Sequence, residues 1–153
     1  MAYSGKFMPV NKEKYKGDLY KISYRSSWEH WFMKYLDNNP QVVKWNSEEV
    51  VIPYFSTADG RRRRYFMDFW AKFDMGNGEY KEFFFEVKPK KETIAPKQPA
   101  KLTVQAKKRF INELYTWKVN SDKWVAAEKV ATKHNITFRL LTENGLRRLG
   151  MVL

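Results

Sequence analysis

A chain of 153 residues with 29 lysines and arginines against 17 acidic side chains carries a formal charge of +12, and it has no cysteine and two histidines. That length suits one compact domain; disulfides and thiolate zinc sites are excluded, and a histidine-built metal centre is disfavoured. The charge calls for a polyanionic partner, nucleic acid first, since no apolar stretch reaches membrane-spanning length and no secretory apolar core opens the chain. The expectation is a soluble intracellular protein whose metal, if any, is held by oxygen, which suits Mg²⁺, Mn²⁺ or Ca²⁺.

Residues 1–25 mix Lys, Tyr and Gly without period and read as a basic aromatic arm that packs through Tyr15, Tyr20 and Tyr24. From Ser26 onward Trp28, Trp31, Phe32, Tyr35 and Leu36 recur at helical spacing, and Asn38-Asn39-Pro40 stops the helix. Short strands are expected over 42–45 and 49–55. Asp59-Gly60 turns the chain into a strand over 64–73, and Gly76-Asn77-Gly78 turns it into another over 79–87, giving a three-stranded antiparallel meander. Between Lys88 and Lys101, Pro89, Pro96 and Pro99 with Lys90, Lys91 and Lys97 make a polar loop or flap. Helices follow over 102–117 and 122–135, the second closed by Asn135. The strand over 136–141 is reached by crossover and so can run parallel to its neighbour, and a helix over 143–149 ends the chain. This order predicts an α/β fold, a mixed sheet covered by helices, in a single domain: arm 1–25, core 26–141 and C-terminal helix 142–153.

Chemistry concentrates in Tyr65-Phe66-Met67-Asp68-Phe69-Trp70 and Phe83-Phe84-Phe85-Glu86-Val87-Lys88, where acids sit inside aromatic runs. A carboxylate among aromatics is costly unless it is paired or bound to metal. Strand alternation turns Glu86 and Lys88 to one face, Phe85 and Val87 to the other. Asp68 could pair with Arg62, Arg64 or Lys72, and Glu86 with Lys88. Side by side on adjacent antiparallel strands, however, Asp68 and Glu86 repel unless a divalent cation lies between them. A Mg²⁺ held by Asp68, Glu86 and the Val87 carbonyl would polarise a phosphoryl oxygen, and Lys88 would orient the attacking water. Glu29 flanks the helical aromatic stripe, but Ser26-Ser27-Trp28-Glu29 also fits a capping box, and on the residues alone the cap is favoured. Arg61, Arg62, Arg63 and Arg64 form a phosphate-contacting run, with Lys90 and Lys91 in the loop and Lys107, Lys108 and Arg109 on the next helix as further DNA contacts. Gln105 reads as a surface residue.

In that order, Glu29 on a first helix, Asp68 on a middle strand and Glu86-Val87-Lys88 on the next resemble the PD-(D/E)XK nuclease superfamily. More closely, Tyr24-Arg25-Ser26-Ser27-Trp28-Glu29, Glu48-Glu49-Val50-Val51-Ile52-Pro53-Tyr54 and Arg64-Tyr65-Phe66-Met67-Asp68-Phe69 resemble the head completion nucleases of T-even-type phages, nearly end to end. The resemblance implies a restriction-endonuclease-like αβββαβ core and a DNA phosphodiesterase using Mg²⁺, with Mn²⁺ as substitute. It implies catalytic roles for Glu29, Asp68, Glu86 and Lys88, with Glu29 joining Asp68, Glu86 and Val87 around the metal. It also implies trimming of the packaged DNA end before a tail joins, phage head or portal proteins as partners, and a place in the host cytoplasm and with the virion. Met67 stands where the superfamily name has proline, a structural position. No Gln-x-x-x-Tyr element is present, since Arg109 follows Gln105 by four. Two other readings are a basic DNA-end-binding virion protein that cuts nothing, and a resolvase or transposon-type endonuclease of the same fold.

Overall fold

Large apolar side chains fill both faces of two neighbouring strands, so the sheet they build needs cover on both sides, and the rest of the chain supplies it. The computed structural model describes residues 3–153. Short strands β1 (Gly5–Lys6) and β2 (Ser23–Tyr24) precede helix α1 (Ser27–Asn38), strand β3 (Val42–Ser47), a hairpin of β4 (Val51–Ser56) and β5 (Arg61–Phe66), and strands β6 (Phe69–Gly76) and β7 (Glu79–Val87). Helix α2 (Val104–Lys133), strand β8 (Ile136–Leu141) and helix α3 (Glu143–Arg148) complete the chain. The central sheet runs β3-β6-β7-β8, with β8 parallel to β7 and the other neighbours antiparallel, so it is mixed, as expected.

Alternation along the central strands assigns each face. Phe69, Ala71, Phe85 and Val87 pack with Phe32, Met33 and Leu36 of α1, and the Phe32 ring meets those of Phe69 and Phe85 edge-on at 5.0 and 5.1 Å. Trp70 and Phe84 turn the other way, onto Ala127 and Ala131 of α2 and onto Ile52, Tyr54, Tyr65 and Met67 from the hairpin and the residue after it. Small alanines let α2 lie close to the sheet. Asp122 of α2 accepts hydrogen bonds from the Thr57 backbone N–H and hydroxyl, both at 2.8 Å, which fastens the hairpin tip to the helix.

Three expectations need correction. The strands do not form a simple meander: β4 and β5 pair only with each other, and β3 pairs directly with β6. The strand expected over 64–73 is broken at Met67-Asp68, where the chain leaves the hairpin and joins the sheet. Glu48, at a left-handed φ of 56°, donates its N–H to the Met67 and Asp68 carbonyls at 3.1 and 3.3 Å and so pins the break. The two helices expected over 102–117 and 122–135 are one, because Lys118-Val119-Asn120-Ser121 contains neither Gly nor Pro to stop the ladder. Thr103 caps its start by accepting the Ala106 N–H at 3.1 Å, and Asn135 follows its end with a left-handed φ of 57°.

The arm is also more integrated than its composition suggests. Ile22 and Tyr15 are buried with Trp45, and the Tyr15 hydroxyl donates to the Ser47 carbonyl at 3.2 Å. Buried Asp37 accepts the Val10 and Asn11 N–H groups at 2.8 and 3.1 Å, and Lys14 donates to the Asp37 and Asn39 carbonyls at 2.9 and 2.7 Å. Tyr20, by contrast, is exposed. Ile22→Ala is expected to lower unfolding stability by about 2–5 kcal/mol, the range for truncating a fully buried aliphatic side chain. Denaturant unfolding checks this; an unchanged midpoint would mean the segment is a separate arm.

Candidate active site

The break between β5 and β6 decides where Asp68 lies. Phe69 pairs with Phe85, so the next step of the antiparallel register sets Asp68 opposite Glu86 at the ends of β6 and β7. The Asp68 Oδ2 accepts the Val87 N–H at 3.1 Å, which closes the ladder through a side chain. Glu86 is buried, and its Oε2 accepts from the Tyr65 hydroxyl at 2.9 Å and from the Trp124 indole N–H. Among the described residues no hydrogen bond engages Asp68 Oδ1 or Glu86 Oε1.

Nor does a cation neutralise the pair. Among the described residues the ion pairs within 4 Å are Lys21 with Asp18, Arg25 with Glu48 and Arg63 with Asp59. Asp68 therefore pairs with none of Arg62, Arg64 or Lys72; Lys72 lies 4.8 Å over the Tyr80 ring and Arg64 5.6 Å over that of Phe66. Glu86 does not pair with Lys88. Burial pushes the Asp68 carboxyl well above the usual carboxylate range, the charges of Glu86 and Glu29 push it further, and the Val87 N–H and Lys88 pull it back.

Glu29 fulfils its capping reading. Ser26 accepts the Glu29 N–H at 3.1 Å, and Glu29 Oε1 returns to accept the Arg25 N–H at 2.7 Å. Its charge is felt at Asp68, yet among the described residues no three His, Cys, Asp or Glu side chains gather into a metal-binding group. The cap engages one oxygen of Glu29, while its charge acts on Asp68. Arg25 in turn pairs with Glu48, whose backbone pins the Met67-Asp68 break, so Glu29, Arg25 and Glu48 tie the start of α1 to the site.

Strand alternation splits the arginine run. Arg63 is paired with Asp59, holding that carboxyl down to about 2. Arg62 and Arg64 lie opposite Phe55 and Pro53 in the β4–β5 register and share an outward face with exposed Phe55 and Phe66. Exposed Lys90 and Lys91 begin the segment that leaves Lys88. Exposed Gln105, Lys107, Lys108 and Arg109 belong to the far half of α2: Arg109 precedes Trp124 by fifteen residues, about 22 Å of helix axis.

Tyr65 and Trp124 were not singled out by sequence. Tyr65 alternates with the exposed arginines of β5 and so reads as a core aromatic; Trp124 reaches Glu86 only because α2 crosses the sheet at that point. Burial, together with the Glu86 and Asp68 charges, keeps the Tyr65 phenol far above its ordinary pKa, so it stays a donor at every working pH. Tyr65→Phe is expected to cost about 1.5–3 kcal/mol, the value of a hydrogen bond to a charged group. Urea unfolding reads the loss, and a neutral outcome would mean that the phenol does not hold Glu86.

Two comparisons bear on this geometry. A family model described as "TnsA-like endonuclease N terminal" matches residues 39–143, which include Asp68, Glu86 and Lys88 and leave Glu29 outside. The head completion nuclease of Enterobacteria phage T4 is 59% identical over 150 residues, covering 98% of this chain and 97% of that protein. No solved structure matches significantly. The mixed sheet between helices, the matched span and the near-complete relative together show that the chain belongs to the TnsA-like endonuclease family of restriction-endonuclease-like fold.

Proposed function

We propose that this nuclease hydrolyses DNA phosphodiester bonds with a divalent cation, Mg²⁺ or in its place Mn²⁺, held by Asp68, Glu86 and the Val87 carbonyl. The observation that carries the reading is the unneutralised carboxylate pair: opposed in register and, among the described residues, outside every ion pair and with one oxygen of each acid outside the hydrogen-bond network. Two carboxylates, a carbonyl and water form a donor set that suits a hard cation keeping part of its hydration. The cation would supply Lewis-acid polarisation of the phosphate and a lowered pKa for nearby water.

The protein's own groups do the rest. Tyr65 and Trp124 fix Glu86 so that its second oxygen stays available, and the Val87 N–H does the same for Asp68. Lys88 follows Val87 on the same strand end, and its ammonium orients the attacking water and offsets charge developing on the phosphate. Glu29 acts through Arg25, holding the start of α1 against the break. Arg61, Arg62 and Arg64 carry most of the backbone attraction, with Lys90 and Lys91 nearer the strand end.

The relative's name supports a role in head completion; with that role we propose the packaged DNA end as substrate, head or portal proteins as partners, and a place in the host cytoplasm and on the virion. Near-full-length similarity favours this over a transposon-end role, although the family is named for a transposon endonuclease. Among the described residues no helix is long and apolar enough to cross a membrane.

Linear DNA with single-stranded ends, incubated with Mg²⁺ or Mn²⁺ and with chelator, tests the activity. Asp68→Ala and Lys88→Ala are each expected to lower cleavage by at least about a hundredfold while retaining DNA binding. Mg²⁺ should raise the melting temperature of the wild type and not of Asp68→Asn. Binding with no cutting under any condition would favour the non-catalytic end-binding alternative. Neutralising Arg62 and Arg64 should flatten the salt dependence of binding by about two phosphate contacts, and neutralising Arg63 should flatten it much less. Equal slopes for the two variants would contradict the split of the arginine run.

A further inference from the structure

Along α2 from Trp124, at Trp117 and Asn120, lies a cavity of about 470 Å³ that the proposed reaction does not use. One wall is the segment after Lys88, including Lys91 and Glu92; the other is α2, with Asn112, Glu113, Trp117 and Asn120. Both walls connect to the site along the chain. Lys91 follows Lys88 by three residues, and Trp117, Asn120 and Trp124 fall on one helical face, Trp124 being the residue that holds Glu86. The loop wall is built rather than loose: the Lys90 N–H donates to Glu143 at 2.7 Å, and the Glu92 N–H donates to the Pro89 carbonyl at 2.9 Å.

Asn120 is 7% exposed and lines this cavity, where its amide can both donate and accept a hydrogen bond. Around it stand an indole face and two carboxylates. The amides, the indole and the carboxylates fit a flat, neutral ring carrying N–H donors and ring acceptors. From the site, Trp117 is seven residues along α2, about 10 Å, which is about three nucleotide rises of a stacked strand.

We propose that this cavity receives an unpaired nucleobase of the DNA strand engaged at the Asp68–Glu86 site, stacked on Trp117 and hydrogen-bonded by Asn120, Asn112 and the neighbouring carboxylates. The proposal rests on the nuclease reading for its substrate, and it makes the enzyme selective for DNA with a frayed or single-stranded end. Stacking on an aromatic side chain accepts every base, so the selection is for single-strandedness rather than sequence.

The test compares binding of a duplex carrying a single-stranded end with binding of the same duplex blunt-ended, in chelator, with 2-aminopurine in the overhang. Trp117→Ala is expected to weaken overhang binding about tenfold, leave blunt binding unchanged and restore 2-aminopurine emission, while Trp117→Phe keeps most of the affinity. Asn112→Ala, at an exposed position, should show a smaller loss of the same selectivity. Equal weakening toward both duplexes, or no weakening, overturns the proposal. Cleavage in Mg²⁺ is measured separately: cutting that is indifferent to Trp117 sinks the pocket alone, and selective binding without cutting sinks the nuclease reading alone.

Discussion

Two carboxylates placed opposite each other at the ends of neighbouring strands repel, and the repulsion grows as water is withdrawn. Asp68 and Glu86 occupy that position with no cation in ion-pair range among the described residues, and much of the surrounding structure holds them there. Glu86 is fixed by a phenol and an indole arriving from different elements, and Asp68 by a backbone N–H of the opposing strand. An aromatic core beneath, with Phe32 against Phe69 and Phe85, makes the platform stiff enough to resist their separation.

The break at Met67-Asp68 has the same origin. If β5 had continued straight into β6, the hairpin could not fold back over α2 and Tyr65 could not reach Glu86. The left-handed Glu48 makes the break rigid, and its ion pair with Arg25 carries that rigidity to the start of α1. Arg62 and Arg64 lie on the outward face of the hairpin, and the lysines beyond Lys88 are exposed on the loop.

Sequence periodicity was enough for α1, for the strands on either side of Gly76-Asn77-Gly78, for β8 and for the mixed sheet between helices, because apolar spacing at these elements is unambiguous. It missed what depends on distant partners. Whether 64–73 is one strand or two is set by Glu48, whose N–H bonds to the Met67 and Asp68 carbonyls at the break. The single helix over 104–133, by contrast, follows from the absence of Gly and Pro at 118–121. The lysine-rich arm packs through Tyr15, as expected, and also through Pro9 and Ile22, which are buried, while Tyr20 stays exposed. At the candidate site, strand alternation was enough to set Asp68 beside Glu86, as the register does. The donors to Glu86 were not legible, since a tyrosine in a strand and a tryptophan in a helix look like core until the elements are packed. Glu29 matched its local capping pattern as sequence physics favoured.

The central claim is that the carboxylate pair is a cation site. Crystals soaked in Mn²⁺ and measured at its absorption edge test it most directly. The account predicts an anomalous peak between Asp68 and Glu86, with Tyr65 and Trp124 still bonded to the far oxygen of Glu86. A pair that stays empty in Mn²⁺, or that is instead bridged by the Lys88 ammonium, would contradict it.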